Sequence, residues 1–384
     1  MITEFLYVYM KIITEQKGKL ENQKILLRLD LNVPILGGKI IDNFKIEKIL
    51  TTIGFLKKEG AKIVILSHIG RNNSESLLPV CEYLKKFFEI VFIEDIFSDN
   101  IEKTILLMQA GDIIMLENLR QFEGERKNDI RFTKKLVLLG DIYVNEAFAV
   151  SHRSHSSIVG LPKLMESYFG PVFVNEIEEL KRVSQTDAPQ LFILGGNKLD
   201  TKIPFIRKFL KIADTVFIGG ALANHIFRVK GFEIGKSLVS DKDFDLNDLV
   251  DNKKIILPID IVVESPRGVF VKNPNEVLTD EKIVDAGPKT VLQLQELINN
   301  AKFVLWNGPL GDYLKGFSDA TFELIRAIAD SQVESVVGGG DTEHCISKLG
   351  LEEKFDFIST GGGAMLKFIA EGTLPGIEAI ENRE

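Results

Sequence analysis

The sequence predicts an α/β protein with two doubly wound, Rossmann-like parallel-sheet domains joined by a hinge helix. Three observations predict this. Short β-branched runs ending in glycine or polar residues alternate with longer amphipathic stretches, the pattern of a parallel sheet covered on both faces. At 384 residues the chain is too long for one ordinary hydrophobic core, so two domains of ordinary size are expected. In the C-terminal half the apolar runs are each followed by glycine or a glycine-containing turn.

In the N-terminal half the expected strands are Ile25–Leu29, Ile63–Leu66, Val91–Ile93, Ile113–Leu116 and Ile142–Val144. Between the first two, Ile46–Lys58 places Ile46, Ile49, Leu50, Ile53, Phe55 and Leu56 at near-helical spacing. The C-terminal half repeats the style with Leu191–Leu194, Thr215–Ile218, Phe303–Leu305, Ser335–Val337 and Phe357–Ile358. Between the halves, Phe169 to Val183 reads as one helix introduced by Gly170 and Pro171, the expected connector and hinge. The expected division is therefore 1–168, a hinge at 169–183, and a second domain from 184.

Composition narrows the function. The chain is 45% hydrophobic and 27% charged with 12 prolines, as a folded protein requires. The net charge of −8 comes from mixed signs without a basic block, so no nucleic-acid partner is expected. Cys81 and Cys345 lie far apart without metal or redox spacing and point to a reducing, cytoplasmic setting. No apolar run approaches the roughly 18 residues that span a bilayer, so no membrane association is expected. The opening nine residues lack the positive flank of a signal peptide, and Met10 is an alternative start that would make them an upstream extension.

In open α/β sheets the ligand lies beyond the carboxyl ends of the strands. There the first half presents Asp30 and Asn32, His68 and Arg71, Asn118 and Arg120, then Asn145, His152 and Arg153. Three arginines together with His68 on one edge suit a small phosphorylated or carboxylated ligand, because the guanidinium fork makes bidentate contacts with such anions. Any one of these arginines, taken alone, reads equally well as a loop residue in a surface ion pair. Asp30 also fits a turn residue before Pro34. His155 reads as structural, and the five histidines and two cysteines offer no zinc spacing.

The second half presents glycine-rich loops at 194–202, 218–224, 306–311, 337–342 and 359–365. Backbone amides in such turns bind phosphate, because no Cβ blocks approach and a following helix favours negative charge. Asp341, just past Gly338-Gly339-Gly340, could hold the magnesium that travels with a nucleotide or could simply cap a helix. Lys198 and Lys202, four apart, could supply point charges to phosphates or form a solvated pair. No GxGxxG follows a strand, and GFEIGKS at 231–237 is one residue short of a Walker A loop.

Taken in order, RLDLNVP, SHIGR, LENLR, VNEAFAVSHRSHSS, LGGNKLDTK, IGGAL, WNGPLG, GGGDT, STGGGA and the terminal LPG resemble the phosphoglycerate kinase family from about residue 24 to 376. The resemblance implies a monomeric, bilobal glycolytic kinase with a central cleft. It implies reversible phosphoryl transfer from 1,3-bisphosphoglycerate to ADP with Mg2+, giving 3-phosphoglycerate and ATP. It assigns the acid to Asp30, Asn32, Lys45, His68, Arg71, Arg120 and Arg153. It assigns the nucleotide to Lys198, Lys202, Gly220, Gly287, Asn307, Pro309, Gly339, Gly340, Asp341 and Thr342, with Asp341 on the metal. Lys45, Lys198, Gly361, Gly362 and Gly363 would meet the moving phosphoryl group. It implies a nucleotide domain ending near 373 and a tail at 374–384 packed back on the first domain, with the lobes closing about the hinge.

Two positions depart from the family pattern. Lys45 stands where the family normally has arginine, keeping the charge but losing the fork. Turnover slower by roughly 10- to 1000-fold is expected, the scale of one lost electrostatic donor. Leu314 stands where the family usually has a glutamate on the nucleotide ribose, so looser sugar selectivity is expected, with Asp312 as a substitute acceptor. Together the two departures motivate an alternative, a catalytically weak or regulatory ligand-binding relative. A sugar-acid kinase of the same architecture is a third reading.

Overall fold

The computed structural model describes residues 10–70, 74–98, 101–185, 189–197, 199–240, 242 and 244–382. The chain forms two compact units, Met1–Glu178 with Glu371–Glu384, and Glu179–Ala370. Among the described residues no helix is long and apolar enough to cross a membrane.

The first unit contains β1 (Lys24–Leu29), a small hairpin of β2 (Ile35–Leu36) and β3 (Lys39–Ile40), then β4 (Lys62–Leu66), β5 (Val91–Ile93), β6 (Ile113–Leu116), β7 (Ile142–Glu146) and β8 (Glu166–Phe169). Apart from the hairpin, these strands form one parallel sheet in the order β5-β6-β4-β1-β7-β8. β1 sits centrally, with Ile25 opposite both Ile63 and Ile142. Its residues after Lys24 are all buried, so the strand reads as a continuous apolar run rather than an alternation. The helix Phe44–Lys58 lays Ile46, Ile49, Ile53 and Leu56 into the core with Ile25, Leu27, Ile63 and Ile65. Each such side chain removed from water contributes about 1.5 to 3 kcal/mol.

Phe169, expected to open the connector, instead closes β8, and the helix runs Pro171–Gln185. Its start is fixed by Glu146 at the end of β7. The buried carboxylate accepts hydrogen bonds from Val172 N (3.2 Å), Phe173 N (2.8 Å) and the Thr52 hydroxyl. Two of the first turn's unpaired amides are thereby satisfied, while Pro171 has no N–H to lose. Gly170 is required because a Cβ there would lie 2.2 Å from the Glu146 carboxyl. The C-terminal helix Pro375–Glu381 also packs within this unit, with Gly376 N donating to Ser151 O at 2.9 Å.

The second unit contains β9 (Gln190–Leu194), β10 (Thr215–Ile218), β11 (Ile255–Ile256), β12 (Ile261–Ser265), β13 (Gly268–Lys272), β14 (Lys282–Ala286), β15 (Phe303–Asn307), β16 (Glu334–Gly338) and β17 (Phe357–Ser359). Six of them form a parallel sheet in the order β11-β10-β9-β15-β16-β17. The chain works outward from β9 in one direction, then returns to β15 and works outward in the other, so the topological switch lies between β9 and β15. That is where doubly wound sheets place their ligands. Phe192, Phe209, Phe217, Phe303 and Trp306 fill this unit's core.

A second, antiparallel sheet of β13-β12-β14 was not expected from the sequence. β12 and β13 form a tight hairpin in which Ser265 faces Gly268 and its hydroxyl accepts from Arg267 N. β13 is mostly exposed, so no buried run marks it.

Burial holds the Glu146 carboxyl up at about 7, against the hydrogen bonds that favour its charged form. The folded state therefore keeps a proton that the unfolded chain releases near 4.5. Stability from this group is present at low pH, falls as pH rises from about 4.5 to 7, and is then lost. Glu146→Gln cannot ionise. Its unfolding free energy should fall less than that of the native chain between pH 5 and pH 8, by about 2 to 3 kcal/mol in urea denaturation. Equal falls would contradict this reading.

Candidate functional site

The carboxyl edge of the first sheet is organised around Arg28, the last but one residue of β1 and only 1% exposed. Its Nε donates to Ser157 Oγ at 2.8 Å and its Nη1 to Leu29 O at 2.5 Å. Its Nη2 lies 3.2 Å from His68 Nδ1. A guanidinium can only donate, so Nδ1 must be the acceptor and the imidazole proton belongs on Nε2. That nitrogen faces Asp30 Oδ1 at 3.9 Å. Burial, reinforced by Arg28, Arg120 and Lys45, holds His68 well below the ordinary histidine range. The ring is neutral at neutral pH. Asp30, at the end of the same strand, pairs through Oδ2 with Lys45 Nζ at 2.7 Å, and both side chains are largely buried.

Neighbouring loops are held by asparagines. Asn118, fully buried after β6, accepts from Ile69 N and Arg120 N and donates to Ile69 O and Glu75 O. It pins the loop after β4 to the loop after β6. Asn32 Oδ1 accepts from Gly70 N at 2.8 Å, and Arg120 Nη1 donates to Gly70 O. Asn145 joins Ala147 N to the Ser151 hydroxyl. Arg120 is pushed down to about 10 by burial and by the charges of Arg28 and Arg153. A cation depressed by desolvation and by like charges stands where an anionic ligand would relieve it. Arg153 is exposed. Arg71 lies outside the described residues.

Behind Arg28, Ser157 donates from N and Oγ to the fully buried Glu125 at 2.9 and 2.6 Å. Tyr143 OH donates to Ser157 O at 2.6 Å. Burial raises the Glu125 carboxyl, with Arg28 and Ser157 opposing it. His155 Nδ1 lies 3.8 Å from Glu125 Oε1, consistent with a structural role, and burial pushes the ring down to about 4. Arg28 and Glu125 are the residues that sequence reasoning missed. A charged residue within an otherwise continuous apolar strand, LLRLDL, was the available signal for Arg28.

In the second unit the glycine loops meet at the switch between β9 and β15. Gly195 N donates to Asn307 O at 2.9 Å and Gly196 N to Pro309 O at 2.7 Å. Lys202, largely buried, sets its ammonium against Gly195 O (2.6 Å) and Asn307 O (3.0 Å). Asn307 Nδ2 reaches Gly338 O at 2.9 Å and Gly362 O at 3.3 Å, joining the two glycine triplets. A Cβ on Gly362 would lie 2.6 Å from Gly339 Cα, so that position requires glycine. Gly339 itself has φ +111, a conformation side chains disfavour. Thr342 is fully buried, and its hydroxyl accepts from Gly308 N at 2.9 Å.

A pocket opens beside these loops, enclosing about 840 Å³ with its open mouth included. Gly196, Gly220, Pro309 and Asp341 line one part, and Lys282, Ile283 and Asp285 from β14 another. The unexpected antiparallel sheet thus forms a wall of the pocket. The turn Tyr313–Lys315 edges it, with Leu314 81% exposed. Asp312 Oδ2 pairs with Lys282 Nζ at 3.1 Å, and Tyr313 OH donates to Asp341 Oδ1 at 3.0 Å.

Gly287 is not among the lining residues. It precedes the helix Pro288–Asn300, whose first amides at Lys289 and Thr290 are already taken by the Asp260 carboxylate. Gly340 and Gly361 flank the clasped triplets, Gly340 opening the helix Gly340–Leu349 and Gly361 N donating to Ser359 Oγ. Gly362 and Gly363 open the helix Gly362–Glu371. Lys198 lies outside the described residues.

Two parallel-sheet units, one edged with cations and the other with interlocked glycine loops beside an open pocket, define a phosphotransferase of the α/β class. A family model described as "Phosphoglycerate kinase" matches residues 15–372. The chain is 38% identical to the phosphoglycerate kinase of Orientia tsutsugamushi over 384 residues, covering 94% of this chain and 95% of that one. It is 37% identical to that of Wolbachia pipientis from Culex pipiens over 381 residues, covering 93% and 96%. Among solved structures, phosphoglycerate kinase from Pyrococcus horikoshii matches with a TM-score of 0.86 at 33% identity, over 97% of this chain and 98% of that one. The enzyme from Coxiella burnetii matches at 0.77 and 31%, over 97% and 99%. The chain belongs to the phosphoglycerate kinase family.

Ser157→Ala would leave Arg28 Nε without its acceptor and Glu125 with one donor fewer, the backbone N–H alone, in a buried setting. A loss of about 1 to 3 kcal/mol is expected in urea denaturation followed by Trp306-independent far-UV dichroism. An unchanged midpoint would contradict the proposed network.

Proposed function

We propose that the chain reversibly transfers the acyl phosphate of 1,3-bisphosphoglycerate to ADP, giving 3-phosphoglycerate and ATP, with Mg2+ accompanying the nucleotide. The observation that carries this reading is the cluster of Arg28, Lys45, His68 and Asp30 at the end of the central strand, in a chain of this family. Arg28 and Lys45 bring positive charge to a buried edge, while neutral His68 offers its Nε2–H as a donor without adding more charge.

On this reading Asp30, Asn32, Lys45, His68, Arg71, Arg120 and Arg153 bind the three-carbon acid. Asp30 is anionic and cannot contact a phosphate directly. It orients Lys45 and can accept a hydrogen bond from a ligand hydroxyl. Lys202, Gly220, Asn307, Pro309, Gly339, Gly340, Asp341 and Thr342 form the nucleotide site, with Lys198 and Gly287 completing the set. Within it Asn307 and Thr342 act by holding the loops that present amides to phosphate. Lys45, Lys198 and the amides of Gly362 and Gly363 meet the phosphoryl group in transit, while Gly361, whose amide is held by Ser359 Oγ, sets the turn that presents them.

The residues present fit magnesium. A magnesium bound mainly by phosphates and water needs only one or two protein carboxylates, and Asp341 offers one on the first turn of its helix at the pocket edge. The ion would neutralise phosphate charge. The protein's own contribution is alignment and charge neutralisation, the main requirements of phosphoryl transfer. We read the chain as a monomer acting in the cytoplasm.

A coupled assay with 3-phosphoglycerate and MgATP tests the proposal. Turnover is expected, and Lys45→Arg should raise kcat by about 10-fold or more by restoring a bidentate donor. Binding of both ligands without turnover would favour a regulatory relative. Loss of activity in Lys45→Arg would overturn the role given to Lys45.

A further inference from the structure

We infer that Tyr313 is a positioning residue for the magnesium-binding carboxylate, its phenol holding one oxygen of Asp341 so that the other is presented to the metal. The inference rests on the assignment of Asp341 proposed above and deepens it.

The geometry is specific. Tyr313 OH donates to Asp341 Oδ1 at 3.0 Å, and among the described residues none hydrogen-bonds to Oδ2. An aspartate at the start of a helix, exposed at a pocket edge, otherwise has several rotamers open to it. A second hydrogen bond selects one and lowers the entropy lost when the metal binds, as outer-shell partners of metal ligands do. A phenol is suited to this because it is protonated at neutral pH and donates one directed bond without bringing a charge that would compete with a cation.

Tyr313 is itself fixed. The residue before it is tied to β14 by Asp312 N to Val284 O (2.8 Å) and by the Asp312–Lys282 pair. The turn Tyr313–Lys315 closes in the left-handed conformation at Gly316. The Tyr313 ring also lies 6.2 Å from the ring of His344, one turn along the helix from Asp341. The phenol therefore reaches Asp341 from a braced turn, and β14 is coupled through it to the helix Gly340–Leu349.

The test is calorimetric titration of the full chain with ADP, once with Mg2+ and once with EDTA. The native chain, Tyr313→Phe and Asp341→Asn are compared. The readout is the gain in affinity that Mg2+ confers. In Tyr313→Phe that gain should shrink by about 10-fold, the lower end of outer-shell effects, while the metal-free affinity stays within about twofold. An unchanged magnesium gain would overturn the inference. So would an equal loss with and without the metal, which would mark Tyr313 as a pocket wall only. A gain that survives in Asp341→Asn would remove the underlying assignment instead, and that outcome is separable because it appears in a different variant.

Discussion

A guanidinium buried at the end of a central strand is the constraint on which the first unit's functional edge depends. Arg28 cannot shed its proton, and a cation removed from water is tolerated only when its donors are satisfied. Those donors determine their surroundings. One fixes Ser157 and through it Glu125, and another fixes the tautomer of His68. The neutral imidazole then faces Asp30, which in turn holds Lys45. Four separate segments of chain are thus ordered by one side chain from β1.

The second unit solves a different problem. It must bring backbone amides close to one another and to a ligand, so its constraint is the absence of side chains. The two glycine triplets approach until a Cβ on Gly362 would strike Gly339, and Asn307 bonds to both triplets. The parallel sheet places these loops at the switch between β9 and β15, where the chain parts in opposite directions and leaves a crevice. The antiparallel sheet then walls the pocket, and its β14 braces the turn that carries Tyr313.

Much of this was legible in the sequence. The parallel strands other than β8 and β11 announced themselves, most because both faces are buried, giving the continuous apolar runs of KILLRL or FVLWN. The polar residues after them marked the edge that carries the site. What escaped has physical reasons. β13 is exposed along most of its length, so Gly268–Lys272 offers no buried run. β8 ends one residue before Gly170, and its Phe169 was absorbed into the following helix. Arg28 was hidden because its role depends on Ser157 and His68, 129 and 40 residues away.

The most direct test of the Arg28-centred edge is the protonation of His68, followed by long-range nitrogen-proton correlation NMR and assigned with a His68→Gln variant. Arg28 requires Nδ1 to accept, so His68 should remain the neutral Nε2–H tautomer from about pH 8 down to about pH 5.5. A ring that titrates near its ordinary value of about 6.5, or one that carries its proton on Nδ1, would contradict the arrangement at its centre.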